Sequence, residues 1–340
     1  MRQPAFWHQP PGLAAGLLSP LAAVYAIGVR RSLAAGASHR PGIPVICVGN
    51  LNVGGTGKTP TAIALGQHLH ELGRRPHFVS RGFGGRKVGP DRVDPDRDNA
   101  AEVGDEPLLL ASFAPTWIGR DRQAVARAAK SAGADSIILD DGFQNASLHY
   151  DLSILVIDAV NGFGNGRVLP AGPLRERPVE GLSRADLVII IGAQKDRERF
   201  LERWGGSVHC PTADARIVPL ATGEQWSGMH VVAFAGIGHP QKFFHTLRSL
   251  GAEIVRAIPL ADHQPINARL LLRLQALARS RNAALVTTEK DAVRLPDAWR
   301  ARVLTLPVRL QFTDPEIIAD RLQGLLQRFQ PVTPSAPHPE

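Results

Sequence analysis

The stretch from Val45 to Pro60, VICVGNLNVGGTGKTP, constrains this chain more than any other. A short apolar run enters a glycine-rich loop, and a helical pattern leaves it near Thr59. Gly54, Gly55 and Gly57 let the backbone turn successive N–H groups toward one anion. The helix that follows adds its positive end. Lys58 has the reach for β and γ phosphates, and the Thr59 hydroxyl suits a magnesium ion. Pro60 falls in the first helical turn, where its missing N–H costs little. The strict pattern puts a glycine six residues before the lysine; Asn52 stands there, and Asn tolerates left-handed dihedrals. Asn52, Val53, Gly54, Gly55, Thr56, Gly57, Lys58, Thr59 and Pro60 therefore form a candidate nucleotide loop. A glycine-rich hairpin is the alternative, and it does not account for the strand before and the helix after.

Such a loop belongs in a parallel sheet flanked by helices. Apolar runs at Pro44–Gly49, Pro76–Ser80, Thr116–Ile118, Ser136–Asp140, Leu152–Asp158 and Leu187–Gly192 alternate with helical patterns. That alternation reads as a P-loop NTPase-like, doubly wound, mostly parallel α/β sheet. A second series, Val231–Gly236, Ile254–Ile258, Ala284–Thr288 and Val303–Pro307, predicts a smaller α/β domain. The expected division is 1–35 as an N-terminal membrane-associated helical segment, 36–210 as the P-loop domain and 211–230 as a linker. Residues 231–328 form the second domain and 329–340 a disordered tail, with four prolines in its last ten residues. The Asp140-Asp141 pair closes one strand and is a candidate magnesium site. An ordinary Asp-Gly turn at Asp141-Gly142 is the competing reading.

Composition narrows the partners. The net charge of +8 admits nucleic acid, an anionic membrane or a phosphorylated substrate, and two cysteines exclude a disulfide framework or a four-cysteine zinc site. No charged residue lies between Gln3 and Val29, and Arg30-Arg31 follow. The apolar run is short for a spanning helix and is interrupted by Ser19-Pro20. A signal peptide ending at Ala35-Gly36-Ala37 would have its arginines in the wrong place. An interfacial helix pair with a basic edge and a plain buried helix remain equally open.

A P-loop does not name the acceptor. The ordered stretches NVGGTGKTP (52–60), SRGFGG (80–85), GDEPLL (104–109), LDDGFQ (139–144), LPAGPLRE (169–176), ADH (261–263) and TTEKD (287–291) resemble the tetraacyldisaccharide 4'-kinase family. Phe83 stands where a Tyr is common, and Gln264 follows the Asp-His pair. The resemblance implies transfer of the γ-phosphate of ATP, with Mg2+, to the 4'-hydroxyl of an acylated glucosamine disaccharide 1-phosphate. The product is the bis-phosphorylated precursor of lipid A. It also implies a peripheral or monotopic place on the cytoplasmic leaflet of the inner membrane, which favours the interfacial reading of the N-terminal run. A monomer with no nucleic-acid partner is expected. Asp105 and His263 are implied as a catalytic dyad, with Lys58 on the phosphates; on their own, Asp105 reads as a helix cap and His263 as a loop histidine. Thr59, Asp140, Asp141 and Glu176 are the implied metal group. Asn50, Arg81, Arg120 and Arg175 are candidate substrate residues, and Thr287–Asp291 is expected near the domain cleft.

Two rivals come from other classes. A partitioning or switch ATPase usually carries a second lysine early in the loop, where Val53 stands here. A soluble metabolite kinase has no use for an uncharged N-terminal run.

Overall fold

The computed structural model describes residues 3–36 and 38–329. The expected disordered tail lies, apart from Phe329, outside the described residues, as does Ala37 of the cleavage-like triplet. The chain runs α1 (Leu13–Ala34), β1 (Val45–Gly49), α2 (Lys58–Glu71), β2 (Pro76–Ser80), β3 (Asp91–Arg92), α3 (Ala100–Val103), α4 (Asp105–Ala111), β4 (Thr116–Ile118), α5 (Arg122–Ser131), β5 (Ser136–Asp140), β6 (Leu152–Asp158), α6 (Pro178–Leu182), β7 (Leu187–Ile191), α7 (Gln194–Trp204) and β8 (Thr212–Pro219). It continues through β9 (His230–Ala235), α8 (Pro240–Ser249), β10 (Glu253–Pro259), α9 (Ala268–Ser280), β11 (Ala284–Thr288), α10 (Glu289–Ala292), α11 (Asp297–Arg300), β12 (Leu304–Leu306), β13 (Val308–Phe312) and α12 (Pro315–Gln327).

The larger sheet has the order β13-β8-β7-β6-β1-β5-β2-β4-β3. Its interior pairs are parallel, and only the edge pairs β13–β8 and β3–β4 are antiparallel. Side chains alternate between the faces. Ile46 and Val48 of β1 join Ile154 and Val156 of β6 under α2 and α12. Cys47, Leu155 and Ile157 pack on the other face with Phe143, Phe163 and Phe200. Both faces are covered, which is why these strands read as unbroken apolar runs. The C-terminal ends of β1, β5 and β6 open onto one edge, where ligands of such sheets gather.

The smaller sheet, β10-β9-β11-β12, is parallel throughout. Phe243, Phe244 and Leu247 of α8 cover one face, and Leu271, Leu274 and Ala278 of α9 the other.

Two expectations change. The span 211–230 is not simply a linker, because β8 is a strand of the large sheet beside β7. Likewise 231–328 is not one domain: β13 pairs with β8, and Leu310, Phe312, Ile318, Leu322, Leu325 and Leu326 belong to the core around α2. The smaller unit is inserted between β8 and β13. The large sheet needs this returning strand and helix to finish its face over α2.

The N-terminal run is one helix rather than a pair. After a short 3-10 turn at Ala5–His8, α1 continues through Pro20 for 22 residues. Pro20 removes one backbone bond, and the helix continues past it. Ala15, Ala22 and Ala26 turn inward, while Leu13, Leu17, Leu21 and Val24 remain 60–91% exposed. The helix is long and apolar enough to cross a membrane, and its outward leucine face is left exposed by the described residues.

Candidate active site

The loop after β1 is braced from within by Asn50, which is fully buried. Its Nδ2 donates to Thr56 Oγ1 at 2.9 Å, and its Oδ1 accepts from Lys58 Nζ at 3.3 Å. Asn50, expected to meet substrate, instead ties the two ends of the loop together. Asn52 Nδ2 donates to Gly162 O at 3.0 Å, and Val53 N to Pro173 O at 2.8 Å. Gly57 caps α2 with φ at 99°, and a Cβ there would stand 2.5 Å from Ile191 Cδ1. Only glycine satisfies both the dihedral and the space. The β9–α8 loop lies on top: a Cβ on Gly238 would stand 3.4 Å from Gly55 N.

Beneath the loop, Thr59 Oγ1 donates to Asp140 Oδ2 at 2.9 Å. Burial, then the Glu106 charge, push Asp140 up to about 7, against the pull of Lys58. Its Oδ1 is buried without a hydrogen-bond partner among the described residues. An orphaned carboxylate oxygen beside the loop threonine fits a hard cation. Mg2+ is commonly held by one or two carboxylates together with waters and phosphate oxygens. Among the described residues no cluster of three or more His, Cys, Asp or Glu could hold a metal ion.

The other two expected metal residues are engaged elsewhere. Asp141, at φ 59°, receives Arg175 through both nitrogens at 2.7 and 3.1 Å, and Lys58 Nζ lies 3.7 Å from its Oδ1. Burial opposes ionisation of Asp141, but Lys58 and Arg175 outweigh it and hold the carboxyl down at about 2. Arg175, expected on substrate, is thus the partner of Asp141. Glu176 is only 2% exposed; one oxygen is ion-paired to Arg184 and the other accepts from Gln144 Nε2 at 2.9 Å. A carboxylate this buried demands partners, and Arg184 at the end of α6 supplies one. Gln144 also accepts from Arg175 at 3.1 Å, so the LDDGFQ and LPAGPLRE stretches meet in one polar network.

Asp105 begins α4, and His263 follows β10 in the inserted unit. The structure brings them together: His263 Nδ1 lies 3.1 and 3.0 Å from the two Asp105 oxygens. Burial raises the Asp105 pKa, but the His263 hydrogen bond and the Lys290 and Arg294 charges leave it below the ordinary value. Hydrogen bonding to Asp105 raises that of His263. Phe83 sets its ring edge-on to His263, with centroids 5.8 Å apart, and is itself 64% exposed.

The TTEKD stretch lies at the cleft, as expected. Lys290 Nζ donates to Glu106 Oε1 at 2.8 Å, and Arg309 Nη1 to Glu289 Oε2 at 2.7 Å. Asp291 binds Gly236 N at 2.9 Å and pairs with Arg294. Arg294 was not anticipated; its Nε lies 3.8 Å from Asp105 Oδ2, and Nη1 donates to Gln264 O at 2.9 Å, bracing the His263 loop. A lone arginine in the turn after a short helix carries no sequence signal for that task. Lys242 and Asp158, paired at 2.8 Å across the cleft, were also not singled out. Arg81 and Arg120 are exposed, and neither guanidinium has a partner among the described residues. Arg122 is buried, donating to Ser80 O at 2.9 Å and to Gly119 O.

A profile of the tetraacyldisaccharide-1-P 4'-kinase family matches residues 14–327. A tetraacyldisaccharide 4'-kinase of Dinoroseobacter shibae is 57% identical over 329 residues, covering 96% of this chain and 98% of that one. One from Jannaschia sp. is 56% identical, covering 92% and 96%. A crystal structure of "apo" form LpxK from Aquifex aeolicus in complex with ATP aligns with a TM-score of 0.72 at 25% identity, covering 93% of this chain and 99% of that one.

Proposed function

The chain belongs to the tetraacyldisaccharide-1-P 4'-kinase family, and on that premise we propose how its cleft phosphorylates the 4'-hydroxyl of a tetra-acylated glucosamine disaccharide 1-phosphate at the cytoplasmic face of the inner membrane. The Asp105–His263 pair carries the reading. One member comes from the P-loop unit and the other from the inserted unit, at 3.0 Å, in the cleft between them.

Phosphoryl transfer asks mainly for positioning and charge stabilisation. ATP lies in the loop 52–60, and Lys58 leaves its rest position beside Asn50 and Asp141 to meet the phosphates. Thr59 and Asp140 would hold Mg2+, which would supply neutralisation of phosphate charge when bound. Asp105 accepts the proton of the 4'-hydroxyl as the new O–P bond forms and the bond to the ADP oxygen breaks. His263 orients that carboxylate and keeps it ionised. Arg175 keeps Asp141 in place when Lys58 moves away. Arg81 and Arg120, exposed and unpartnered among the described residues, are the cations free to meet substrate phosphate. The outward leucine face of α1 rests in the bilayer that presents the lipid.

Transfer of radiolabel from γ-labelled ATP to the acylated disaccharide 1-phosphate, in mixed detergent with Mg2+, tests the assignment. Labelled bis-phosphate product is expected; its absence overturns the reading.

A further inference from the structure

The first half of the P-loop has one more support, and it comes from the start of the chain. Gln3 Nε2 donates to Val53 O at 2.7 Å, and Gln3 Oε1 lies 2.8 Å from His8 Nε2. The approach is tight, since a Cβ on Gly54 would stand 2.8 Å from Gln3 Nε2. With Val53 N already bound to Pro173 O, both backbone groups of Val53 are held, one from each side.

The segment carrying Gln3 is itself fastened. Trp7 Nε1 donates to Pro170 O at 3.2 Å, Asn165 N to Trp7 O at 2.7 Å, and Asn165 Nδ2 to Phe6 O at 3.3 Å. Gly164 makes room, because a Cβ there would stand 2.5 Å from Trp7 O. Asn165, Pro170 and Pro173 belong to the loop between β6 and α6. The N-terminal segment and that loop therefore clamp residues 52–54 between them.

We propose that Gln3 is a positioning residue of the nucleotide site: the segment leading into α1 straps Val53 in place, leaving Gly54–Gly57 to wrap the phosphates. A free Val53 peptide has other orientations, and binding ATP must then include the cost of ordering it. The strap also makes the loop and the apolar helix parts of one unit. The inference rests on the loop being the ATP cradle, and that is tested separately: Lys58→Ala with undiminished turnover would remove the cradle itself, whatever Gln3 does.

Gln3→Met keeps the side-chain length and removes the donor. In the full-length enzyme, with saturating lipid substrate in mixed micelles, KM for MgATP is expected to rise about fivefold, the worth of one net hydrogen bond. The turnover number and KM for the lipid should stay within about twofold of the parent, since Gln3 bonds Val53 and His8 and not the dyad. Trp7→Phe, which removes the indole donor and leaves a smaller ring, should act in the same direction. Because both changes release one strap, the double variant should be no worse than the worse single variant. An unchanged KM for MgATP in Gln3→Met overturns the proposal. So does a parallel loss in kcat and both KM values, which marks a general structural role, or full additivity in the double variant.

Discussion

Asp105 owes its proton affinity to its neighbours. Burial raises it, and the His263 hydrogen bond leads the effects that bring it below the ordinary range. His263→Ala removes that bond while leaving most of the burial, so the Asp105 pKa rises. Turnover at neutral pH should fall by about 10²-fold or more, and the acid limb of the kcat/KM profile should move to higher pH. A limb that stays in place would show that His263 does not set the ionisation of Asp105. The linkage signs differ for the two partners. Asp105, depressed, adds stability above its unfolded pKa and loses it as pH falls through the folded value. His263, raised, adds stability below its unfolded pKa and loses it as pH rises through the folded value. The bridge between the two units is therefore strongest between the folded pKa values of Asp105 and His263. At this scale the residue types were legible and most of their partners were not. Asp140 beside Thr59 follows from loop chemistry. The pairing of Glu176 with Arg184, and of Arg175 with Asp141, depends on how two loops cross, which no spacing encodes.

Helix α1 shows the same limit one scale up. The lack of charge before Arg30 predicts an apolar helix, and Ser19-Pro20 suggests a break that does not occur. The inward alanines and outward leucines emerge only once the body it packs against is known. Leu17 is 82% exposed and Leu21 60%, so Leu17→Asp with Leu21→Asp removes apolar surface without opening a core. Stability should change little, as for most surface substitutions. Flotation with vesicles containing anionic phospholipid should drop clearly, because each aspartate carries a charge into an apolar boundary. A doubly substituted protein that floats like the parent, with an unchanged melting midpoint, would mean this face does not meet the bilayer. Central strands were legible because burial on both faces makes them continuous apolar runs. β8 was not, because it lies next to the sheet edge, and residues Arg216–Pro219 are exposed or only half-buried. β13, the edge strand itself, alternates for the same reason and was lost beside the stronger pattern of β12.

Across the whole molecule, the insertion puts His263 on one body and Asp105 on another, so the proposed dyad forms only where the two meet. Besides the contacts of Asp105 with His263 and Arg294, three further ion pairs join them: Lys242–Asp158 at 2.8 Å, Lys290–Glu106 at 2.8 Å and Arg309–Glu289 at 2.7 Å. The Lys290 pair has a second consequence, because Glu106 is the leading charge that raises Asp140. Closure brings a cation to Glu106 and so eases the repulsion at the proposed metal carboxylate. A pair at a partly exposed cleft contributes about 0.2–1 kcal/mol. Replacing both lysines, Lys242→Gln with Lys290→Met, should then lower the closed-to-open ratio by about two- to thirtyfold. The P-loop keeps its own contacts, and the dyad keeps its residues, so the loss should fall on assembly of the cleft. Small-angle scattering with a non-hydrolysable ATP analogue and Mg2+ should give a larger radius of gyration for the double variant. Added salt should move the parent the same way, because it screens these pairs. Identical curves for parent and variant at low salt would show that the cleft is held by its packed surfaces, with these charges contributing only orientation.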